Sequence, residues 1–216
     1  MVDVLSQIGA VTRELRTDEV DGEQSHVQTL EQTYPSTIDD VWEAVTTGER
    51  IERWFLPVSG ELRLGGRYQL EGQAGGEVLE CEPPSDGTAR YRVTWEYAGG
   101  VTWLTVRLVA EGEVTRLHLE HVARAADVPE GMWEEFGPGA TGVGWDSALL
   151  GLSLHLGAVA GSLSPSEAAA WTATDEGRQF FRGSADGWRA AHEAWGADPA
   201  VAARAAEATF GAYTGS

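Results

Sequence analysis

The 216-residue chain has one cysteine, Cys81, and no lysine or asparagine at all. A single thiol excludes an internal disulfide and any multi-cysteine zinc cluster, and it suits a reducing compartment. All fifteen basic residues are arginine, set against 34 acidic ones, for a formal charge of −19. A surface this negative repels phosphate backbones and anionic lipid, so nucleic acid and membrane surfaces are set aside as partners. The first residues, Met1-Val2-Asp3-Val4-Leu5, lack the basic and apolar regions of a secretory leader, and a cytoplasmic protein is expected. Long apolar runs are missing too. The best stretch, 143–161, contains Asp146, His155 and several glycines without flanking basic anchors, and reads as a buried helix. What the chain does have is apolar bulk: 42% of its residues are hydrophobic and nine are tryptophan. At this length folding removes roughly 70% of the chain's surface from water, which is enough to build a core without staples.

Periodicity divides the chain into three parts. Val4, Leu5, Ile8 and Val11 to Leu15 suggest a short N-terminal helix, and the polar run 18–25 reads as a linker, so residues 1–25 stand apart. Residues 26–162 form the expected main domain. Val27 to Tyr34 has strand composition. Ile38, Val41, Trp42 and Val45 then fall at helical spacing behind a Ser36 or Thr37 cap, with Gly48 as the stop and a second short helix from Arg50 to Phe55. Over 58–122 the period changes to two: Leu62 with Leu64, Tyr68 with Leu70, the run Glu77 to Glu82 stopped by Pro83-Pro84, then Tyr91, Val93, Trp95 and Tyr97, Leu104, Val106 and Leu108, and last Leu117, Leu119 and His121. This predicts an antiparallel meander with one apolar face. A long helix over 141–161, with Trp145, Leu149, Leu152, Leu156 and Val159 on one side, is placed to cover it. The resulting α+β architecture is a helix-grip fold, a curved antiparallel sheet wrapped around a long helix. Residues 163–216 are an alanine-rich helical tail, with helices expected at 165–172, 175–195 and 199–213.

Several local runs carry a family likeness: Val41-Trp42, Trp54-Phe55, Gly76-Glu77-Val78-Leu79-Glu80 followed by Pro83-Pro84, Tyr91 to Trp95, Thr115-Arg116-Leu117 to His121, and Gly144-Trp145 with Leu149 and Leu152. With these the chain resembles the START/polyketide-cyclase-like helix-grip superfamily (SRPBCC), in the branch similar to the C-terminal domain of the chaperone-ATPase activator. The likeness covers about residues 26–160. It implies a cavity between sheet and helix. Members are known as small-molecule binders, cyclases or proteins of no assigned role, so it implies no particular ligand.

The candidate ligand-binding residues are Trp54, Phe55, Tyr68, Tyr91, Trp95, Tyr97, His121, Trp133, Trp145, Asp146, Leu149 and Leu152. Large rings under a helix notched by Gly144, Gly151 and Gly157 are hard to pack to normal density, which favours a pocket for a small, largely apolar or amphipathic molecule. The alternative for each ring is ordinary packing. His121 ends its strand facing inward, where an imidazole can bind a ligand or serve as acid or base; paired with Asp146 it would give a cyclase- or hydrolase-like enzyme. A chaperone-activator-like interaction module is a further alternative.

Other motifs lead elsewhere. Gly137-Pro138-Gly139-Ala140-Thr141-Gly142 matches GxGxxG but follows no strand of a βαβ unit, so a hinged lid carrying Met132, Trp133 and Phe136, or an ordinary surface loop, is expected in place of a dinucleotide site. His118 and His121 point to opposite faces and cannot share a metal. Cys81, between Glu80 and Glu82, lacks the positive field that activates a thiol. No metal or cofactor is expected. Trp188, Ala191, His192 and Trp195 form a stripe that packs on its own domain or pairs two copies through the C-terminal helices.

Overall fold

The computed structural model describes residues 1–20 and 22–215. Eight antiparallel strands form one sheet in the order β1-β2-β8-β7-β6-β5-β4-β3. They are β1 (Thr12–Val20), β2 (Glu23–Tyr34), β3 (Val58–Gly60), β4 (Arg67–Leu70), β5 (Gly75–Ser85), β6 (Thr88–Tyr97), β7 (Gly100–Glu111) and β8 (Val114–Arg124). The helices are α1 (Val4–Ala10), α2 (Ile38–Thr46), α3 (Gly48–Ile51), α4 (Met132–Phe136), α5 (Gly139–His155), α6 (Pro165–Trp171), α7 (Asp175–Trp195) and α8 (Pro199–Thr214). This is the helix-grip arrangement expected from the pattern of periods. Among the described residues no helix is long and apolar enough to cross a membrane.

The sheet's apolar face follows from simple alternation. Leu117, Leu119 and His121 on β8 are buried together with Leu104, Val106 and Leu108 on β7, and the register sets Leu119 opposite Val106 and His121 opposite Leu104. The long helix α5 lies on this face, and its own composition shows how it is enclosed. Val143, Trp145, Asp146, Leu149, Leu150, Leu152 and Ser153 are all buried, so the helix has no solvent stripe. A helix apolar all round is one covered on every side. The sheet covers one flank and α7 and α8 cover the other. Helix α7 also reaches across to β1, whose Leu15 is 5% exposed.

Four local expectations are corrected. Residues 11–15 are not helical: α1 ends at Ala10 and β1 begins at Thr12, pairing with β2 along its whole length. The expected linker 18–25 therefore belongs to a hairpin, with Val20 opposite Glu23. Leu62 and Leu64 are not in a strand, and Leu64 is exposed; β3 lies earlier, at Val58–Gly60. Pro83-Pro84 does not stop β5, which runs on to Ser85 through a register shift between Glu82 and Ser85. Proline lacks the N–H a regular ladder needs, and an irregular pairing is where a strand tolerates it. In the tail, the expected helix bounds agree with α7 and fall within one residue of α6 and α8. Thr174 caps α7 by accepting from the Gly177 N–H, and Gly196 ends it in the left-handed conformation.

Candidate functional site

Between the sheet and α5 the packing opens into two adjoining chambers. The inner one, about 130 Å³, is almost wholly apolar. Eight of the candidate residues line it: Trp54, Phe55, Tyr68, Tyr91, Trp95, Trp145, Leu149 and Leu152. The outer one, a vestibule of about 1010 Å³, is lined by Tyr97, His121 and Trp133, and shares Phe55, Trp95 and Trp145 with the inner chamber. Trp95 and Trp145 meet edge to face at 4.9 Å between centroids and so form part of the dividing wall. Asp146 is in neither chamber.

Two of the inner rings have their polar ends tied down. Trp54 Nε1 donates to the Ala44 carbonyl at 2.9 Å and the Tyr68 hydroxyl to the Thr94 carbonyl at 2.7 Å. Burial pushes the phenols of Tyr68 and Tyr91 well above their ordinary range, so both stay protonated. The Trp145 indole N–H, by contrast, is buried with no partner among the described residues. Leaving such a donor unmade costs about 1–3 kcal/mol.

Sequence reasoning placed His121 here but missed the polar side chains around it. His121 Nε2 lies 2.9 Å from the Thr102 hydroxyl and Nδ1 lies 3.3 Å from Gln28 Oε1. Gln28 Oε1 also accepts from Thr141 Oγ1, and Gln28 Nε2 donates to the Pro138 carbonyl, each at 2.5 Å. Gln28 faces inward because the register pairs it with His121 across β2 and β8. Only strand pairing reveals that, since 93 residues separate the two. Desolvation pushes His121 down to about 4, so the ring is neutral at physiological pH.

His121 and Asp146 are not brought together, and the expected acid–base pair is corrected. Asp146 is turned toward the tail, where its carboxylate accepts from Arg13 Nη2 at 2.8 Å, Ser184 Oγ at 2.5 Å and Trp188 Nε1 at 3.0 Å. It is 1% exposed, and the arginine, on β1, is itself nearly buried. This is a structural joint linking β1, α5 and α7.

The glycine-rich run 137–142 has a structural role of the same kind. A Cβ on Gly142 would come within 2.2 Å of the Trp188 ring, and one on Gly139 within 2.7 Å of Thr209 Oγ1. Gly137, at φ +55°, has His192 at 3.0 Å from the same construction. The glycines are the notch into which α7 and α8 dock. The short α4 just before them is flanked by Gly131 and Gly137, both at positive φ, and its Trp133 stacks on His26 at 3.7 Å and meets His192 and Trp195 edge-on. Trp188, Ala191 and His192 of the tail stripe are buried against their own chain, while Trp195 is partly exposed and donates to Thr17. From α8, Thr209, Ala212 and Tyr213 complete the vestibule wall. Burial pushes the Tyr213 phenol up to about 12, and its hydroxyl donates to the Ala140 carbonyl at 3.0 Å. Cys81 lines the inner chamber as a free thiol. No cluster of three metal-ligating side chains occurs among the described residues.

A family model described as activator of Hsp90 ATPase homolog 1-like protein matches residues 35–157. The crystal structure of CalU16 from Micromonospora echinospora is 35% identical, covers 68% of this chain and 86% of that one, and superposes with a TM-score of 0.57. The solution NMR structure of the same protein extends the match to 95% of this chain and 94% of that one, at 29% identity and a TM-score of 0.60. The likeness thus includes the helical tail. Protein MLL2253 from Mesorhizobium loti shares the fold at 21% identity, with a TM-score of 0.50 over 61% of this chain and 97% of that one. No curated protein matches. The chain therefore belongs to the family of activator of Hsp90 ATPase homolog 1-like proteins, a branch of the helix-grip superfamily.

Proposed function

We propose that this protein binds a small, largely apolar molecule, in the cytoplasm, with part of the guest enclosed in the inner chamber and the rest in the vestibule. The observation that carries this reading is the pair of adjoining chambers sharing Phe55, Trp95 and Trp145. An engineered apolar cavity of about 150 Å³ in another protein binds benzene, so an inner chamber of about 130 Å³ accepts a single ring or a short branched chain. Empty, such a space is unfavourable by about 3 kcal/mol at ~24 cal/mol per Å³, a cost a guest offsets. The partnerless Trp145 N–H, on the ring common to both chambers, supports a guest that also carries an acceptor.

Native mass spectrometry of the purified full chain, followed by calorimetric titration with naphthalene, tests the reading. We expect saturable uptake that is abolished by Ala148→Phe, which places a ring in the inner chamber. A protein that arrives empty and takes up no naphthalene overturns it.

A further inference from the structure

The vestibule contains one polar group whose hydrogen-bonding role is fixed by its neighbours. Gln28 Nε2 donates to the Pro138 carbonyl at 2.5 Å, and a flipped amide would set two acceptors against each other at that distance. Oε1 therefore faces His121 and Thr141, and because it is an acceptor only, His121 Nδ1 must carry the proton. That leaves Nε2 as a lone pair with no hydrogen. Its present donor, the Thr102 hydroxyl, is 2.9 Å away and has a second acceptor within reach, the Trp95 carbonyl at 3.3 Å. Thr102 can turn to Trp95 and release Nε2 without stranding any buried group. Few buried acceptors can change partners at so little cost.

Resting on the binding reading above, we infer that His121 Nε2 is the polar anchor of the cavity and that it selects an apolar guest bearing a neutral hydroxyl, an alcohol or phenol, over the matching ether or carboxylate. The hydroxyl donates to Nε2 while the apolar body occupies the space bounded by Trp95 and Trp145. An ether has no hydrogen to give. A carboxylate brings only acceptors, which can meet the Trp145 N–H but not the Nε2 lone pair, and it must enter a chain whose formal charge is −19. The acidic and basic side chains in the vestibule wall, among the described residues, are Arg124 and Asp127. They pair with each other at 4.0 Å, Arg124 also approaches Glu23 at 3.7 Å and lies over the Trp103 ring, and it is three residues further along β8, roughly 10 Å away at strand spacing. Desolvation supports the same assignment by keeping the imidazole uncharged.

The test is calorimetric titration of the full chain at pH 7.5 with three probes of one shape: 2-naphthol, 2-methoxynaphthalene and naphthalene-2-carboxylate. We expect 2-naphthol to bind about tenfold more tightly than the ether, the worth of one net hydrogen bond, with the carboxylate weakest. His121→Phe should erase the preference while the ether still binds, since Gln28 keeps Thr141 and Thr102 keeps Trp95. Thr102→Val, which removes the competing donor, should tighten 2-naphthol several-fold and leave the ether unchanged; it decides the matter if His121→Phe fails to fold. Equal affinities for naphthol and ether in the wild type, a carboxylate that binds as well as the naphthol, a preference that survives His121→Phe, or a Thr102→Val variant that binds 2-naphthol no more tightly than the wild type overturns the assignment while leaving the binding reading intact. Failure of all three probes to bind overturns that broader reading, and the assignment with it.

Discussion

The two flanks of α5 are built to opposite ends. On the flank facing the sheet, Trp145, Ala148, Leu149 and Leu152 border open space. On the flank facing the tail, Gly142 admits the Trp188 ring, and Asp146 is surrounded by Arg13, Ser184 and Trp188 with nothing left over. The first stripe follows the i, i+3, i+4, i+7 rhythm, and the second interleaves with it a residue away. Adjacent side chains on a single rod thus serve a loosely filled cavity and a close-packed joint. The chemistry differs accordingly. At the joint an ion pair is fully satisfied at low exposure, whereas at the cavity a neutral imidazole keeps an exchangeable partner.

Substitutions on the two flanks should therefore behave differently. The largest effect is expected from Asp146→Ala, which leaves Arg13 buried and unpaired beside Ser184 and Trp188; chemical denaturation should show a loss of about 3–5 kcal/mol. A loss below about 1 kcal/mol would mean the joint is not what holds the tail. Next comes acidification, which acts on the cavity flank. His121 is held at about 4 when folded, against an ordinary 6.5, so the unfolded chain binds the proton more readily between those values. Stability is complete above pH 6.5 and falls as the pH drops toward 4, by on the order of 3 kcal/mol. His26, His155 and His192 are lowered as well, chiefly by desolvation, and push the same way. Denaturation midpoints across this window should be shallower in His121→Phe than in the wild type.

Gly142→Ala is expected to be the third in size. Its Cβ would meet the Trp188 ring at 2.2 Å, and overpacking of a filled site costs about 1–3 kcal/mol by the same assay. The smallest effect is expected from Ala148→Phe, the substitution that blocks the inner chamber. Because it grows into existing space, the melting temperature should stay within about 3 °C of the wild type, near 1 kcal/mol for a chain of this size. Comparable losses at positions 142 and 148 would show the two flanks to be equally packed.

Much of this was legible in the sequence wherever one period ran uninterrupted between clear stops. The meander from β5 to β8 alternates cleanly, and α7 and α8 are bracketed by Thr174, Gly196 and Asp198-Pro199. Strand β1 was not, because Leu15 is its only buried apolar side chain and Val11 with Leu15 also fits a helical step. At the site, alternation placed His121 inward beside Leu117 and Leu119, and Tyr68, Tyr91 and Trp95 of the inner chamber followed from the same rule, with Trp145 from helical spacing. Its partners did not follow. Gln28 and Thr102 become neighbours only through pairing register, and Asp146 finds Arg13 from 133 residues away. Polar residues carry no periodic signal of their own, so a carboxylate at the start of a long helix reads alike whether it faces a ligand or a buried guanidinium.

The wall contributed by Thr209, Ala212 and Tyr213 has a consequence for the order of events during synthesis. While residues 209–213 are still within the ribosome, the vestibule is missing one side. On the binding reading proposed above, capture of a guest waits until α8 has docked and closed that side.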